Sequence, residues 1–239
     1  MYKDKKYTVI IPARAGSKGI INKNIVLINK HPLISYSIAA AIKSKLVDDV
    51  YVSTDGKKIS KIAKKYGANV ILRPNNISDD VTMPDFAVTH AIKFITENLK
   101  KRLDYVIFLQ PTSPIRASND IDNAIIKFQK DKCDSLFSGV SLHPCIWNSK
   151  IQNNLKPVNY NPFRRKRRQI DYSNIVENGS IYISNKNTYL KYNNRFGKKI
   201  TSYLMNYICL LQIDSNEELN LTRSILKSKN FQYLKLIKP

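Results

Sequence analysis

The chain has no apolar run approaching the roughly 20 residues that a membrane-spanning helix requires, which excludes a spanning segment. Its basic start (Lys3, Lys5, Lys6) is followed only by Tyr7 to Ile11 before Pro12 and Arg14. That stretch is too short for the core of a signal peptide, so a cytoplasmic protein is expected. Cysteine is scarce. Cys133, Cys145 and Cys209 are far apart, form no Cys-x-x-Cys pair and are odd in number, which points to reduced, structural thiols. His31, His90 and His143 show no metal-ligand spacing, and His90 falls on an apolar helical pattern. Neither order nor spacing supports a Ser-His-Asp set. There is no internal repeat and no low-complexity linker. Acidic residues are few: 18 against 40 Lys plus Arg, a net charge of +22 over 239 residues. Such a charge suggests polyanionic partners, whether nucleic acid, nucleotide phosphates or a membrane surface. Lysine, isoleucine and asparagine are abundant throughout, however, and compositional drift of that kind sets lysines on solvated faces without selecting a partner. The one basic run, Arg164 to Arg168, lacks the interleaved aromatics and periodic basic helix of a nucleic-acid surface. A small anionic ligand or a solvated loop is expected there, and no nucleic acid.

What is present suffices for a core: 43% hydrophobic residues and 10% aromatics. The length suits a single domain over residues 1–239. Tyr7–Ile11, Val50–Ser53, Val70–Leu72, Tyr105–Leu109 and Ser135–Val140 read as short buried strands. Between them lie helical stripes: Ile59, Ile62, Ala63, Tyr66; Val88, Ala91, Ile92, Ile95, Leu99; and Ile121, Ala124, Ile125, Phe128, with Ser118 or Asn119 as N-cap. The alternation predicts an α/β fold, a mostly parallel Rossmann-like sheet with helices on both faces. Periodicity fades after Val140, and residues near 140–175 read as an irregular arm. Regular structure resumes with a strand at Ser180–Ser184, an apolar run at Ile208–Ile213, and a helix from about Ser215 with Glu217 and Glu218 in its first turn.

The strongest chemical signal follows the first strand: Pro12-Ala13-Arg14-Ala15-Gly16-Ser17-Lys18-Gly19, then Lys23-Asn24. Ligands of open α/β sheets bind at the carboxyl ends of strands. Glycines there let the loop turn sharply and present backbone N–H groups to phosphate, with Arg14, Lys18 and Lys23 adding charge. The run matches neither the P-loop nor the Gly-x-Gly-x-x-Gly pattern. A phosphate loop and a plain basic surface loop both remain open on these residues alone. Asp55, Arg116, the Asn178-Gly179 pair and Asp214 each have an ordinary structural reading as a cap, a local partner or a turn.

The run from Ile10 to Asn24 resembles the opening signature of the acylneuraminate cytidylyltransferases, the CMP-sialic acid synthetase family, which includes enzymes for legionaminic and pseudaminic acids. Other landmarks follow in order. Val52-Ser53-Thr54-Asp55, Arg73-Pro74 with Ser78-Asp79-Asp80, and Leu109-Gln110-Pro111-Thr112-Ser113-Pro114-Ile115-Arg116 are similar to family segments. So are Arg168-Gln169, Glu177-Asn178-Gly179-Ser180-Ile181-Tyr182-Ile183, and Gln212-Ile213-Asp214. The resemblance implies a fold of the nucleotide-diphospho-sugar transferase type and the reaction of CTP with a nine-carbon 2-keto sugar acid, giving the CMP-sugar and pyrophosphate with Mg2+. It implies nucleotide binding by Arg14, Ser17, Lys23, Asn24 and Arg73, with Lys23 and Arg14 as the catalytic cations. It places the sugar acid on Gln110, Arg168 and Gln169, and Mg2+ on Asp214 with Gln212. It also implies a homodimer built through an inserted arm at 140–175, with Trp147, Tyr160 and Phe163 as contacts. Two departures stand out: Gln212 replaces the usual first aspartate of the metal motif, and Val81-Thr82-Met83-Pro84 replaces small serine-type residues near the nucleotide. An eight-carbon sugar-acid acceptor is the alternative within the same chemistry; a basic nucleic-acid-binding protein is the alternative outside it.

Overall fold

The computed structural model describes residues 4–17, 19–74, 77, 83–148, 155–165, 167 and 174–239. Seven strands build the central sheet: β1 (Tyr7–Pro12), β2 (Asp49–Thr54), β3 (Asn69–Leu72), β4 (Tyr105–Leu109), β5 (Ser135–Leu142), β6 (Asn174–Asn185) and β7 (Ile200–Leu204). Their spatial order is β7-β5-β6-β4-β1-β2-β3. All neighbours are parallel except β6, which runs antiparallel to both β4 and β5. The sheet is therefore mostly parallel, as the alternating pattern predicts.

Val9, Ile10 and Ile11 of β1 are all fully buried, because helices cover both faces. Side chains alternate between two layers. Val9, Ile11, Val52, Ile107 and Ile183 pack with α1 (Leu33–Lys43), α2 (Lys57–Lys65) and α4 (Asp120–Asp131). Ile10, Tyr51, Val106, Phe108 and Tyr182 pack with α3 (Pro84–Lys93) and α5 (Lys186–Tyr192) on the other side. The C-terminal α6 (Asn216–Lys227) closes a third cluster through Leu219 and Leu226, which pack with Ile28, Leu33, Tyr36 and Ile213.

Several elements differ from the sequence reading. Helix α1 buries residues on two sides, Ile34 and Ile38 in one cluster, Leu33 and Tyr36 in another, so it shows no single stripe. The stripe ending at Leu99 breaks at Lys93 into one wide π turn, Phe94–Asn98. Of the two expected caps of α4, Asn119 holds the N-cap position, but its side chain makes no capping bond; Asp120 Oδ2 accepts from the Ala117 N–H at 2.6 Å and fixes the entry to the helix. The last strand is Ile200–Leu204, an edge strand too polar to announce itself, and the apolar run after it is a 3-10 turn, Tyr207–Leu210. Within the arm, the described residues form a small hairpin (Trp147–Asn148 with Lys156–Pro157) and a 3-10 turn at Pro162–Arg164. Trp147 is outside the core: it is 43% exposed and meets Tyr160 edge-on at 5.9 Å. Among the described residues, no helix is long and apolar enough to cross a membrane.

Candidate active site

The chain leaves β1, builds β2 and β3 outward on one side, then returns to place β4 on the other side of β1. The crevice beyond the carboxyl ends of β1 and β4 is thus a topological switch point, the usual ligand position in such sheets. Two of the predicted segments open there: the 13–24 loop after β1 and the 110–116 turn after β4.

The first loop is held from below. Ala13 N–H donates to the Ser53 carbonyl at 2.9 Å, and Ala15 N–H donates to Asp55 Oδ1 at 2.9 Å. Asp55 is thus a loop anchor, in line with its structural reading. Gly16 takes φ +74°, a backbone shape that L side chains rarely adopt. Asn24 is buried, and its Nδ2 donates to the Arg14 carbonyl at 2.9 Å, so its amide shapes the loop beneath Arg14. Ser17 is half-buried on the loop, and Lys18 lies outside the described residues. Arg14 lines a cavity of about 170 Å³ with Ala15, Asn22, Asn24 and Gly56.

Lys23, at the end of this loop, reaches the far C-terminal segment. Its Nζ donates to Asp214 Oδ1 at 2.7 Å; the lysine side chain is 17% exposed and the aspartate 69%. A Cβ on Gly19 would stand 3.0 Å from the Asp214 carbonyl oxygen, so the same two segments are in backbone contact. Asp214 is not itself the helix cap. Ser215 caps α6 with Glu218 in a capping box, and Glu218 Oε2 also accepts from Asp214 N–H at 2.7 Å. The Ser-x-x-Glu spacing is the sequence signal for that box.

The 110–116 turn is braced by Arg116, which is fully buried. Its Nη1 donates to Ser37 Oγ at 2.9 Å, and its Nη2 to the carbonyls of Gln110 at 3.0 Å and Ser180 at 2.8 Å. Burial drives its pKa down to about 10. Beside it, β6 carries a large bulge: it advances from Glu177 to Tyr182 while β5 goes only from Gly139 to Phe137. Asn178 stitches the bulge internally. It is fully buried, its Oδ1 accepts from Ser138 Oγ at 2.6 Å, and its carbonyl accepts from Ser113 Oγ at 3.0 Å. Gly179, at φ +64°, brings bare backbone against two side chains: a Cβ there would meet Gln110 Oε1 at 2.6 Å and Gln212 Oε1 at 3.0 Å. Ile213 N–H donates to the Thr112 carbonyl at 2.9 Å, tying the 212–214 segment to the same turn.

Arg73 follows β3 and is buried, 8% exposed. Its Nη2 is 3.7 Å from Asp55 Oδ1, and neither Nε nor Nη2 has a hydrogen-bond partner among the described residues. Burial lowers its pKa; Asp55 opposes the shift and Arg14 adds to it. His90, on α3, is held below its ordinary pKa by burial first and by Arg73 second, and its Nδ1 is also unpartnered.

The structure therefore brings Lys23 to Asp214, sets Gln110 and Gln212 both against Gly179, and places Arg73 beside Asp55, which anchors the loop next to Arg14. Arg168 and Gln169 lie outside the described residues, as do Ser78 to Thr82. Sequence reasoning missed the bracing by Ser37 and Ser138; single polar residues inside apolar strands and helices carry no spacing that would single them out. For a divalent cation, the fit is partial but chemically sound. Asp214 is an exposed carboxylate of the kind Mg2+ prefers. Among the described residues, no group of three or more His, Cys, Asp or Glu could hold a metal on its own, so the remaining oxygens would have to come from a phosphate.

The cytidylyltransferase family model matches residues 8–235. Over 246 aligned residues the chain is 33% identical to the N-acylneuraminate cytidylyltransferase of Escherichia coli O18:K1:H7, with 97% of this chain aligned but only 54% of that protein, so it spans about half of that relative's length. It is 32% identical to the post-translational flagellin modification protein B of Campylobacter coli, with 93% of this chain and 95% of that one covered. Among solved structures, a CMP:2-keto-3-deoxy-manno-octonic acid synthetase complexed with CTP superposes with TM-score 0.69 at 16% identity, covering 93% of this chain and 98% of that one. A 4-diphosphocytidyl-2C-methyl-D-erythritol synthase superposes with TM-score 0.70 at 10% identity, covering 93% and 99%. At those identities the likeness is one of fold. The match from Thr8 to Lys235, nearly the whole chain, makes this protein a member of the cytidylyltransferase family.

Proposed function

We propose that this protein is a cytidylyltransferase that joins CTP to a nine-carbon 2-keto sugar acid of the sialic, legionaminic or pseudaminic type, releasing pyrophosphate in the cytoplasm. The observation that carries the reading is the meeting of Lys23 and Asp214 with the Gln110 and Gln212 carboxamides at the switch-point crevice. In this reading the triphosphate lies along the 13–24 loop, against Arg14, Ser17 and Lys23. Asn24 contributes by fixing the Arg14 carbonyl. The unpartnered N–H groups of Arg73 face the nucleotide.

The anomeric hydroxyl oxygen of the sugar acid attacks the α-phosphorus. The bond from that phosphorus to the bridging oxygen breaks, pyrophosphate leaves, and the hydroxyl proton passes to solvent. Positioning and charge stabilisation do most of the work in such transfers. Lys23, drawn from Asp214 to the phosphates, supplies a cation where charge grows; Arg14 supplies another. Mg2+, held by Asp214 and phosphate oxygens, would neutralise triphosphate charge. Gln110 hydrogen-bonds the sugar acid. Arg168, with Gln169 beside it, takes the sugar carboxylate through a two-pronged guanidinium contact. The arm at 140–175, with Phe163 95% exposed and Trp147 43% exposed, packs on a second copy to form a homodimer.

Support for the acceptor class comes from the name of the Escherichia coli relative, an N-acylneuraminate cytidylyltransferase, aligned over 97% of this chain. The test is pyrophosphate release with CTP, Mg2+ and a panel of nonulosonic acids, each omitted in turn, with an eight-carbon acid included. Release that needs CTP and one nine-carbon acid is the expected result. Release with the eight-carbon acid alone, or with none, would overturn the reading.

A further inference from the structure

Gln110 and Gln212 come from distant parts of the chain, yet both carboxamides crowd one glycine. Gly179 has no side chain and sits at φ +64° in the β6 bulge; a Cβ there would be 2.6 Å from Gln110 Oε1 and 3.0 Å from Gln212 Oε1. Any other residue would push both side chains away. Both glutamines are half-buried, and neither carboxamide has a hydrogen-bond partner among the described residues. Two half-buried amides with unused donors and acceptors, both set against Gly179, are built to be satisfied from outside the protein.

Asp214 is differently engaged: Lys23 already donates to its carboxylate. The segment thus offers a cation one carboxylate, already neutralised by an ammonium, and a neutral amide whose oxygen lies against Gly179. A hard cation gains little from such a pair before phosphate oxygens arrive.

We infer that Gln212 is a second acceptor-reading carboxamide, paired with Gln110 across Gly179, and not a metal ligand, so that the divalent cation enters only together with the nucleotide. The identity of the acceptor rests on the proposed function; the cation half of the inference does not. Two adjacent carboxamides match a pair of neighbouring polar groups, such as two hydroxyls or a hydroxyl beside an acylamino group. An acceptor that lacks one of them leaves an amide unpaired and is discriminated against.

Two measurements on the full chain test this. The first is Mn2+ titration followed by electron paramagnetic resonance, with and without CTP, on wild type, Gln212→Leu and Gln212→Asp. Wild type and Gln212→Leu should bind Mn2+ tightly only with CTP, and equally well, whereas Gln212→Asp should gain binding without CTP. Equal Mn2+ affinity of wild type with and without nucleotide, or weakened binding in Gln212→Leu, would overturn the inference. The second is steady-state kinetics of folded Gln212→Leu and Gln212→Asn, checked by thermal melting. The acceptor KM should rise about 3- to 10-fold, the loss of roughly one neutral hydrogen bond, while half-saturation by Mg2+ stays fixed. A shift in Mg2+ half-saturation with the acceptor KM unchanged would return Gln212 to the metal. If no acid supports turnover at all, the functional reading fails while the Mn2+ titration still decides the cation half.

Discussion

Arg116 and Arg73 are both buried, at 0% and 8% exposure, yet they use their donors in opposite ways. Arg116 gives Nη1 and Nη2 to Ser37, Gln110 and Ser180, and only its Nε is unpartnered. Arg73 leaves both Nε and Nη2 without a hydrogen bond among the described residues, and its ion-pair neighbour Asp55 is 3.7 Å away. Burial depresses the pKa of both. A buried donor without an acceptor carries the full cost of its desolvation, so a fold tolerates one where a ligand will supply the acceptor. Burial alone therefore does not mark function. The unused donors do: Arg116 is scaffold for the Gln110 turn, and Arg73 is poised for a ligand.

The largest effect should come from breaking the scaffold. Arg116→Met takes a charged donor from the Gln110 and Ser180 carbonyls and from Ser37 Oγ, leaving Gln110 only its bonds from Ser37 Oγ and the Ser113 N–H, and should cost about 3 kcal/mol, visible as a lowered denaturant midpoint. Arg116→Lys should recover only part, because one ammonium cannot span the three acceptors a planar guanidinium reaches. An unchanged midpoint in Arg116→Met would dissolve the scaffold half of the comparison.

Lys23 sharpens the contrast, since it is a cation with a partner that is still expected to serve the ligand. Its partner Asp214 is 69% exposed, so the pair itself stabilises the fold little. Lys23→Ala should leave the melting temperature nearly unchanged while turnover falls by roughly 100- to 1000-fold, the scale of removing one charge-stabilising donor. Loss of fold in place of loss of turnover would move Lys23 into the same class as Arg116. Arg73→Met should contrast with the Arg116 result. Stability should fall much less, because among the described residues Nε and Nη2 of Arg73 make no hydrogen bond and only the 3.7 Å ion pair with Asp55 is lost. CTP binding by calorimetry should weaken about 10- to 100-fold, the worth of a charged hydrogen bond or two. Unchanged CTP affinity would show that the free donors of Arg73 face something else.

The same contrast explains what was legible in the sequence. The parallel core was readable because β1, β2 and β4 are buried on both faces and so appear as unbroken β-branched runs. Edge strand β7 was not, since Ile200-Thr201-Ser202-Tyr203-Leu204 alternates too weakly against its polar neighbours. Helix α1 was missed because it is apolar on two sides. At the site, the positions of Lys23, Gln110, Gln212 and Asp214 in their motifs were legible. That Lys23 would hold Asp214, or that Gln212 and Gln110 would meet at Gly179, was not, because the second depends on a bulge in β6 and the first on the placement of the segment before the capped α6. Arg116 was readable as a local partner, but which groups it would hold, Ser37 Oγ and the Gln110 and Ser180 carbonyls, was not.

His90 offers the smallest and most local test of the comparison. Its pKa is lowered from 6.5 by burial and, second, by the Arg73 charge. Between that depressed value and 6.5 the unfolded chain binds the proton more tightly than the folded one, so stability rises with pH there. Read downward, stability is lost as pH falls below 6.5 and levels off once folded His90 is itself protonated. His90→Gln should flatten this part of the stability profile. In Arg73→Met, the His90 ring titration followed by NMR should move up toward its ordinary value but stay below it, because burial is the larger cause and remains. An unmoved His90 in that variant would mean that the guanidinium charge is already compensated by Asp55, and the distinction between Arg73 and Arg116 would then rest on hydrogen bonds alone.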